Sequence, residues 1–547
     1  MKIAIAQINP KVGDIAGNAA LIEAFARRAQ DLGAELAVFP ELALTGYPPL
    51  DLVERTDFID ANLAALRRLA RLKLKTALVV GYVDRNPGKK GKALLNSVAL
   101  LDGGKIAARR HKSLLPTYDI FDEARYFEPA RENKPLRFRG EVLGLTICED
   151  IWAGTTLLPS RMLYRNNPVK TLCAARATIV INISASPFYR GKGARRRAIL
   201  SGLARRMRAH IIYANQTGAN DELIFDGNSF ALSPSGGLTA RGKAFEEDLL
   251  LVDTAGGRRP PAESPHDEAG EIFSALTLGI RDYFGKMGFK KAALGLSGGI
   301  DSAIVAALAA AALGPENVTG VLMPSKYTSA RSNADALRLA RGLGIPTMTV
   351  PIKNIYSAFL SELKTGSAGE VSLTMQNLQS RARGTILMAL SNANNWLVLT
   401  TGNKSEIAMG YCTLYGDTAG ALAPIADLFK TEVYRLAAFL NREKEVIPRA
   451  IIERPPTAEL KPGQKDQDDL PPYSTLDEII RLYMEENRTP AAIIRKGFGR
   501  DLVRSVLRRV EMNEYKRKQL PIALKVTEKS FGFGRKMPIV KSLSFTG

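Results

Sequence analysis

Apolar residues recur at every second position in several short runs of the first 250 residues. Residues 2–8 alternate in this way and predict a strand, whereas Leu21, Ile22, Phe25 and Ala29 share one face of a helix predicted over 18–31. Further strand-length runs occupy 35–39, 76–83, 142–148, 178–183, 211–215 and 229–232, the last closed by Ser233-Pro234-Ser235-Gly236-Gly237. Residues 96–101 and 105–110 flank Asp102-Gly103-Gly104, a hairpin turn. Parallel and antiparallel strands mixed with helices predict a layered α/β sandwich. After residue 271 the pattern becomes a regular alternation: helix 272–287, strand 291–296, helix 301–313, strand 318–323, helix 330–342, strand 346–350, helix 374–392, strand 396–400. That series predicts a doubly wound parallel sheet. Between the two patterns, 253–271 has no periodicity and contains Gly256-Gly257-Arg258-Arg259-Pro260-Pro261, so it reads as a linker between domains 1–252 and 272–547. Residues 454–472 are rich in Pro and Asp and read as a mobile loop, followed by helices and a basic tail. No internal repeat is visible.

Composition narrows the function classes. The 547 residues include three cysteines (Cys148, Cys173, Cys412) and three histidines (His111, His210, His266), too few for a disulfide framework, a zinc knuckle or a His-cluster chemistry. No run approaches 18 apolar residues, so no membrane-spanning helix is expected. The first residues enter a strand without a signal-peptide core, and a cytoplasmic location is expected. Lys and Arg total 76 against 55 Asp and Glu, a net charge of +21 that attracts anions: nucleic acid, nucleotides or pyrophosphate. Arg195, Arg196, Arg197, Arg205, Arg206 and Arg208 fall on a predicted helix and read as a solvated face.

Three segments of the first half place reactive groups at strand ends: Phe39-Pro40-Glu41, His111-Lys112-Ser113, and Ile147-Cys148-Glu149-Asp150. Hydrolysis of an amide requires a nucleophile, a base to deprotonate it and a positive group for the developing oxyanion. Cys148, Glu41 and Lys112 can supply these without histidine. The three ordered motifs resemble the nitrilase/amidase superfamily over roughly residues 1–250, and the resemblance implies an αββα sandwich. In its glutaminase members the cysteine forms a thioester with the glutamine side chain and releases ammonia. The resemblance implies Glu41 as base, Lys112 as oxyanion stabiliser and Cys148 as nucleophile, with Tyr118, Ser186 and Lys192 contacting glutamine. Tyr47, Glu123 and Glu149 are lesser candidates.

In the second half, the strand end Gly295-Leu296 leads into Ser297-Gly298-Gly299-Ile300-Asp301-Ser302, which opens an Ala-rich helix. Two glycines and a helix N-terminus let backbone N–H groups approach phosphate oxygens, and Asp301 can hold Mg²⁺ against them. The loop lacks the Gly-Lys-Ser/Thr ending of a Walker A motif and looks like that of enzymes cleaving ATP to AMP and pyrophosphate. With Asn377 to Gly384, Thr400 to Glu406, Leu414 to Asp417 and Pro424 to Val433, it resembles the NAD synthetase family over about 280 residues, with a Rossmann-like sheet. That resemblance implies ATP contacts from residues 295–302, Thr401, Lys430 and Thr457. It implies contacts to nicotinic acid adenine dinucleotide from Asn377, Glu406 and Lys516, and Mg²⁺ on Asp301 and Glu406. Leu414 and Ala421 depart from the ammonia-dependent pattern, which has Lys and Asp there. Arg381 and Arg383 read alternatively as helix-face salt bridges.

The two halves together resemble a glutamine-hydrolysing NAD synthetase: ATP, glutamine and the deamido dinucleotide as small-molecule substrates, no specific nucleic acid, no membrane, and a homo-oligomeric state. An RNA-modifying enzyme would share the loop and the charge, but it leaves the glutaminase motifs unexplained and needs a cysteine pair for sulfur transfer. An amidotransferase with another acceptor would need a different pocket from the 377–384 and 400–406 strings.

Overall fold

The structure is a computed structural model that describes residues 1–153, 155, 164, 166–256, 267–364 and 371–543. It divides into two units, Met1–His266 and Asp267–Gly547. Residues 257–266 of the expected linker lie outside the described residues, and the helix after it starts at Glu268.

The first unit holds β1 (Lys2–Gln7), β2 (Leu36–Val38), β3 (Ala77–Arg85), β4 (Leu94–Asp102), β5 (Lys105–His111), β6 (Leu136–Phe138) and β7 (Glu141–Ile147). Then follow β8 (Ile179–Ser184), β9 (His210–Asn215), β10 (Thr217–Asn220), β11 (Leu223–Asp226), β12 (Phe230–Leu232), β13 (Leu238–Arg241) and β14 (Asp248–Asp253). One six-stranded sheet runs β14-β1-β2-β3-β4-β5 and another runs β6-β7-β8-β9-β12-β13. From these ends both read antiparallel, parallel, parallel, antiparallel, antiparallel. The unit therefore repeats a pairing scheme that no sequence repeat betrays. Alternation sorts the side chains: Ile3 and Ile5 enter a core shared with Leu145, Ile147, Ile181 and Ile183 of the other sheet. Ala4, Ala6 and Ile8 instead meet the helices Ile15–Asp31 and Thr56–Ala70. Leu200, Leu203 and Ala204 of the helix Lys192–Met207 cover the second sheet's outer face. Helix, sheet, sheet and helix give the αββα order expected from the motifs.

That helix also corrects one expectation. Arg196 does not belong to a solvated face; it is buried and ion-paired to Asp226 at 3.1 Å.

The second unit holds β15 (Ala292–Gly295), β16 (Val318–Leu322), β17 (Thr347–Thr349), β18 (Leu397–Leu399), β19 (Leu422–Ala423) and β20 (Ile522–Ala523). They form one sheet in the order β17-β16-β15-β18-β19-β20, every pair parallel. Counted within the unit this is 3-2-1-4-5-6, the doubly wound order whose ligand crevice opens beyond the carboxyl ends of its first and fourth strands. Those strands are β15 and β18. Ala382, Ile386 and Leu387 of the helix Leu373–Asn394 pack on Ala293, Val321 and Val398. A helical layer follows, in which Leu476, Ile479 and Ile480 meet Val503, Val506, Leu507 and Val510, an i, i+3, i+4, i+7 stripe. Residues 454–472 are stitched in rather than loose: Arg454 pairs with Asp335, Gln379 donates to the Leu460 carbonyl, and Tyr473 donates to Asp466.

Candidate active sites

In the first unit three strand ends converge. Glu41 follows β2, Lys112 follows β5 and Cys148 follows β7, opening a short 3-10 turn. The turn carrying Glu41 passes so near β3 that a Cβ on Gly81 would lie 2.4 Å from the Pro40 carbonyl oxygen and 2.5 Å from the Leu42 nitrogen. Only glycine leaves that space. Lys112 Nζ donates to Glu41 Oε1 and to Glu123 Oε1, each at 2.7 Å, with all three side chains buried. Asn96 Nδ2 donates to Glu41 at 2.8 Å and Glu123 at 3.3 Å, the Tyr47 hydroxyl to Glu123 at 3.0 Å, and the Ala185 N–H to Glu41 Oε2 at 3.0 Å.

Cys148 is a free, buried thiol held at φ 42°, a left-handed conformation that a non-glycine residue adopts at a cost. Burial pushes its thiol up, Glu41 adds to that, and Lys112 opposes it. For Lys112, burial alone would favour loss of the proton, but Glu123 and Glu41 hold its pKa well above the ordinary value. Glu123 is raised to about 7 by burial and by Glu41, against Lys112. Around this centre, Tyr118 and Tyr164 donate to Glu149 at 2.9 and 3.0 Å. The Ser186 N–H donates to Asn215 at 2.9 Å, and Lys192 Nζ donates to the Pro187 carbonyl at 2.6 Å, within electrostatic reach of Glu149. Asp150, which sequence reasoning passed over, accepts the N–H groups of Ser113, Leu114 and Ile147, tying the lysine turn to the cysteine turn. Asn96 was missed as well. Its only signal was the polar pair Asn96-Ser97 inside an apolar run.

In the second unit the loop after β15 lies at the sheet's switch point. Gly298 is at φ 76°, and a Cβ there would lie 2.3 Å from the Ser332 carbonyl oxygen. The Ser297 and Ser302 hydroxyls are 3.1 Å apart, and the Gly299 N–H donates to Ser297 Oγ at 3.2 Å. Asp301 opens the helix Ile300–Leu313; its carboxylate takes Lys430 Nζ at 2.5 Å and Asn403 Nδ2 at 3.1 Å. Glu406 stands 3.5 Å from the same Nζ. Burial and Asp301 raise Glu406 to about 8, against Lys430. Thr401 follows β18 on the same sheet edge, and Thr457 Oγ1 accepts the Glu459 N–H at 3.2 Å.

Asn377, Lys516 and Arg381 gather on the 410–414 segment. Asn377 accepts from Thr413 at 2.7 Å, Lys516 donates to the Gly410 and Cys412 carbonyls at 2.8 Å, and Arg381 donates to the Leu414 carbonyl at 3.2 Å. Arg383 donates to the Met323 carbonyl. Neither arginine makes the helix-face salt bridge considered for it, among the described residues. A cavity of about 700 Å³ lined by Gly384, Met388, Tyr415, Gly420, Gln519 and Pro521 flanks the segment. Among the described residues no three His, Cys, Asp or Glu side chains cluster to cage a metal, and no helix is long and apolar enough to cross a membrane.

The Carbon-nitrogen hydrolase family profile matches residues 2–257 and the NAD synthase profile residues 272–520. The glutamine-dependent NAD(+) synthetase of Synechocystis sp. is 45% identical, with 99% of this chain and 98% of that protein aligned. The chain belongs to the glutamine-dependent NAD(+) synthetase family. The Thermotoga maritima member is 42% identical over 98% of both chains. Among solved structures, the synthetase of Acinetobacter baumannii in complex with ADP matches with a TM-score of 0.77 and 37% identity over 98% of both chains. The Cytophaga hutchinsonii synthetase, at 22% identity, shares the fold with a TM-score of 0.85, covering 99% of this chain and 98% of its own.

Proposed function

We propose that this chain, like its family, makes NAD with glutamine as nitrogen donor, and that the two side-chain centres divide the work. The observation that carries the reading is the complete Glu41–Lys112–Cys148 constellation in a chain that also has Asp301, Glu406 and Lys430 at the switch point of a parallel sheet. Glu41 takes the Cys148 proton as sulfur attacks the glutamine side-chain carbonyl, and Lys112 faces the developing oxyanion. Glu41 returns that proton to the leaving nitrogen, the thioester forms as ammonia departs, and water then releases glutamate. Tyr118, Glu149, Ser186 and Lys192 supply polar groups for the amino-acid end of glutamine.

In the second unit, the carboxylate of nicotinic acid adenine dinucleotide attacks the ATP α-phosphorus and pyrophosphate leaves. Ammonia displaces AMP from the acyl-adenylate. Activation is needed because a carboxylate is a poor electrophile and AMP a good leaving group. Residues 295–302, Thr401, Lys430 and Thr457 surround ATP in this reading, and Asn377, Glu406 and Lys516 the dinucleotide, with the neighbouring cavity as room for it. Mg²⁺ fits the donor set: Asp301 and Glu406 share a single lysine, and two carboxylates plus phosphates are the usual Mg²⁺ environment. Bound there, the ion would neutralise phosphate charge.

The test is NAD formation from ATP, Mg²⁺ and the deamido dinucleotide with glutamine or ammonium. Cys148→Ala is expected to lose glutamine-driven synthesis by at least about 10³-fold while keeping most ammonium-driven synthesis. Equal loss with both donors in folded protein would sink the division of labour.

A further inference from the structure

We propose that Arg454 is a positioning residue for the phosphate loop: it sets the orientation of the Gly298–Gly299 peptide and ties the loop to the segment that carries Thr457. The proposal rests on the reading that residues 295–302 hold ATP phosphates.

The geometry is a fork on three acceptors. Arg454 Nη2 donates to the Gly298 carbonyl at 2.9 Å and to Asp335 Oδ2 at 2.8 Å, and Nη1 donates to Ser332 Oγ at 2.5 Å. The Arg454 side chain is 17% exposed and its Nε, fully buried, has no hydrogen-bond partner among the described residues. In a planar trans peptide the C=O of one residue and the N–H of the next point to opposite sides. Arg454 holds the Gly298 oxygen on one side, so the Gly299 N–H is turned to the other. There it meets Ser297 Oγ, which is itself beside Ser302 Oγ. That second side carries the donors a phosphate would use.

The peptide needs such a hold. Gly298 is in the left-handed region, where glycine has wide freedom, and no helix bond fixes its carbonyl. The same fork reaches the far segment. Ser332 Oγ donates to Glu459 Oε1 at 2.6 Å, and the Glu459 N–H donates to Thr457 Oγ1. Asp335 neutralises the guanidinium, so its role is directional rather than a free charge for ATP. A lysine, a single point donor on a flexible stem, cannot span all three acceptors at once.

The experiment uses the full chain with ammonium as donor, comparing Arg454→Met, Arg454→Lys and Ser297→Ala. Arg454→Met is expected to raise KM for ATP by about tenfold or more, the scale of one lost charge-assisted hydrogen bond, and Arg454→Lys by less. KM for the deamido dinucleotide should stay within about twofold and glutamine hydrolysis should be unchanged, since neither depends on the peptide's orientation. Arg454→Lys should melt at the wild-type temperature without ATP but gain less stability on adding it. An unchanged KM for ATP in Arg454→Met and Arg454→Lys, with Ser297→Ala raising it, would overturn the role of Arg454 alone. If Ser297→Ala also leaves it unchanged, the ATP reading of the loop falls too. Parallel loss of melting temperature and of affinity for both substrates in Arg454→Lys would reduce Arg454 to a structural residue and overturn the proposal.

Discussion

Lys112 sits between two carboxylates, and the balance among the three sets the charge beside Cys148. One of the carboxyls pays for it. Glu123 keeps its proton up to about pH 7 in the folded chain, because burial and Glu41 outweigh Lys112, whereas an unfolded Glu titrates near its ordinary 4.5. The folded state thus binds more protons than the unfolded state between those values, and stability from this group falls as pH rises through the window. Glu123→Gln cannot titrate there. The stability of Glu123→Gln relative to wild type is expected to increase from pH 5 to pH 7, measured as the difference in unfolding midpoint. A difference that is flat or falls over that range would contradict the assignment. That Glu41, Lys112 and Cys148 would stand at strand ends was legible from their motifs. Asp150 and Asn96 were not, because each acts through a partner more than 35 residues away or across strands. Arg196 was misread because charge counts along a helix do not say which side chain turns inward to Asp226.

At the level of elements, the main strands and helices followed from periodicity, though the helix Thr56–Ala70 and short strands such as β6, β13, β19 and β20 did not, and the 3-2-1-4-5-6 order agrees with a βαβ series. The repeated pairing of the two sandwich sheets did not show, since pairing depends on backbone hydrogen bonds that leave no residue signature. Close approaches were equally silent. Gly81 lies in the middle of β3, where glycine normally weakens a strand, and its reason is the backbone of the Glu41 turn. Gly81→Ala must push that turn outward, at an overpacking cost of about 1–3 kcal/mol or more, and move Glu41 from Lys112. The expected result is loss of glutamine hydrolysis in folded protein, with ammonium-driven synthesis retained. Full glutaminase activity would show that the turn can give way. The helix Lys192–Met207 offers a paired comparison. Arg196→Met leaves Asp226 buried without its cation, which should cost about 3–5 kcal/mol in chemical denaturation. Arg206→Met on the exposed side should stay within about 0.5 kcal/mol. Equal effects would mean that the buried pair contributes nothing beyond a surface arginine.

Over the whole molecule, the excess of 21 positive charges is the feature most easily misread. ATP, the dinucleotide and pyrophosphate are all multiply anionic, so a positive field would raise their encounter rate with the protein. The same field attracts any polyanion. In the reading proposed above the difference lies in how each is held: family substrates by directional groups such as the 295–302 loop and Lys430, nucleic acid by phosphate charge alone. Binding that rests on counterion release weakens steeply with salt, by orders of magnitude between about 50 and 200 mM, and does not discriminate sequence. A titration of tRNA and duplex DNA is therefore expected to show affinity at low salt that disappears across this range, equally for both. Ammonium-driven NAD formation, followed in the same buffers at saturating substrates, is expected to change little, since screening slows encounter without removing the hydrogen bonds that hold the ligands. Tight binding of one RNA that survives 200 mM salt would instead mean that a shaped surface, not net charge, had recognised it, and the charge would then need a nucleic-acid partner to explain it.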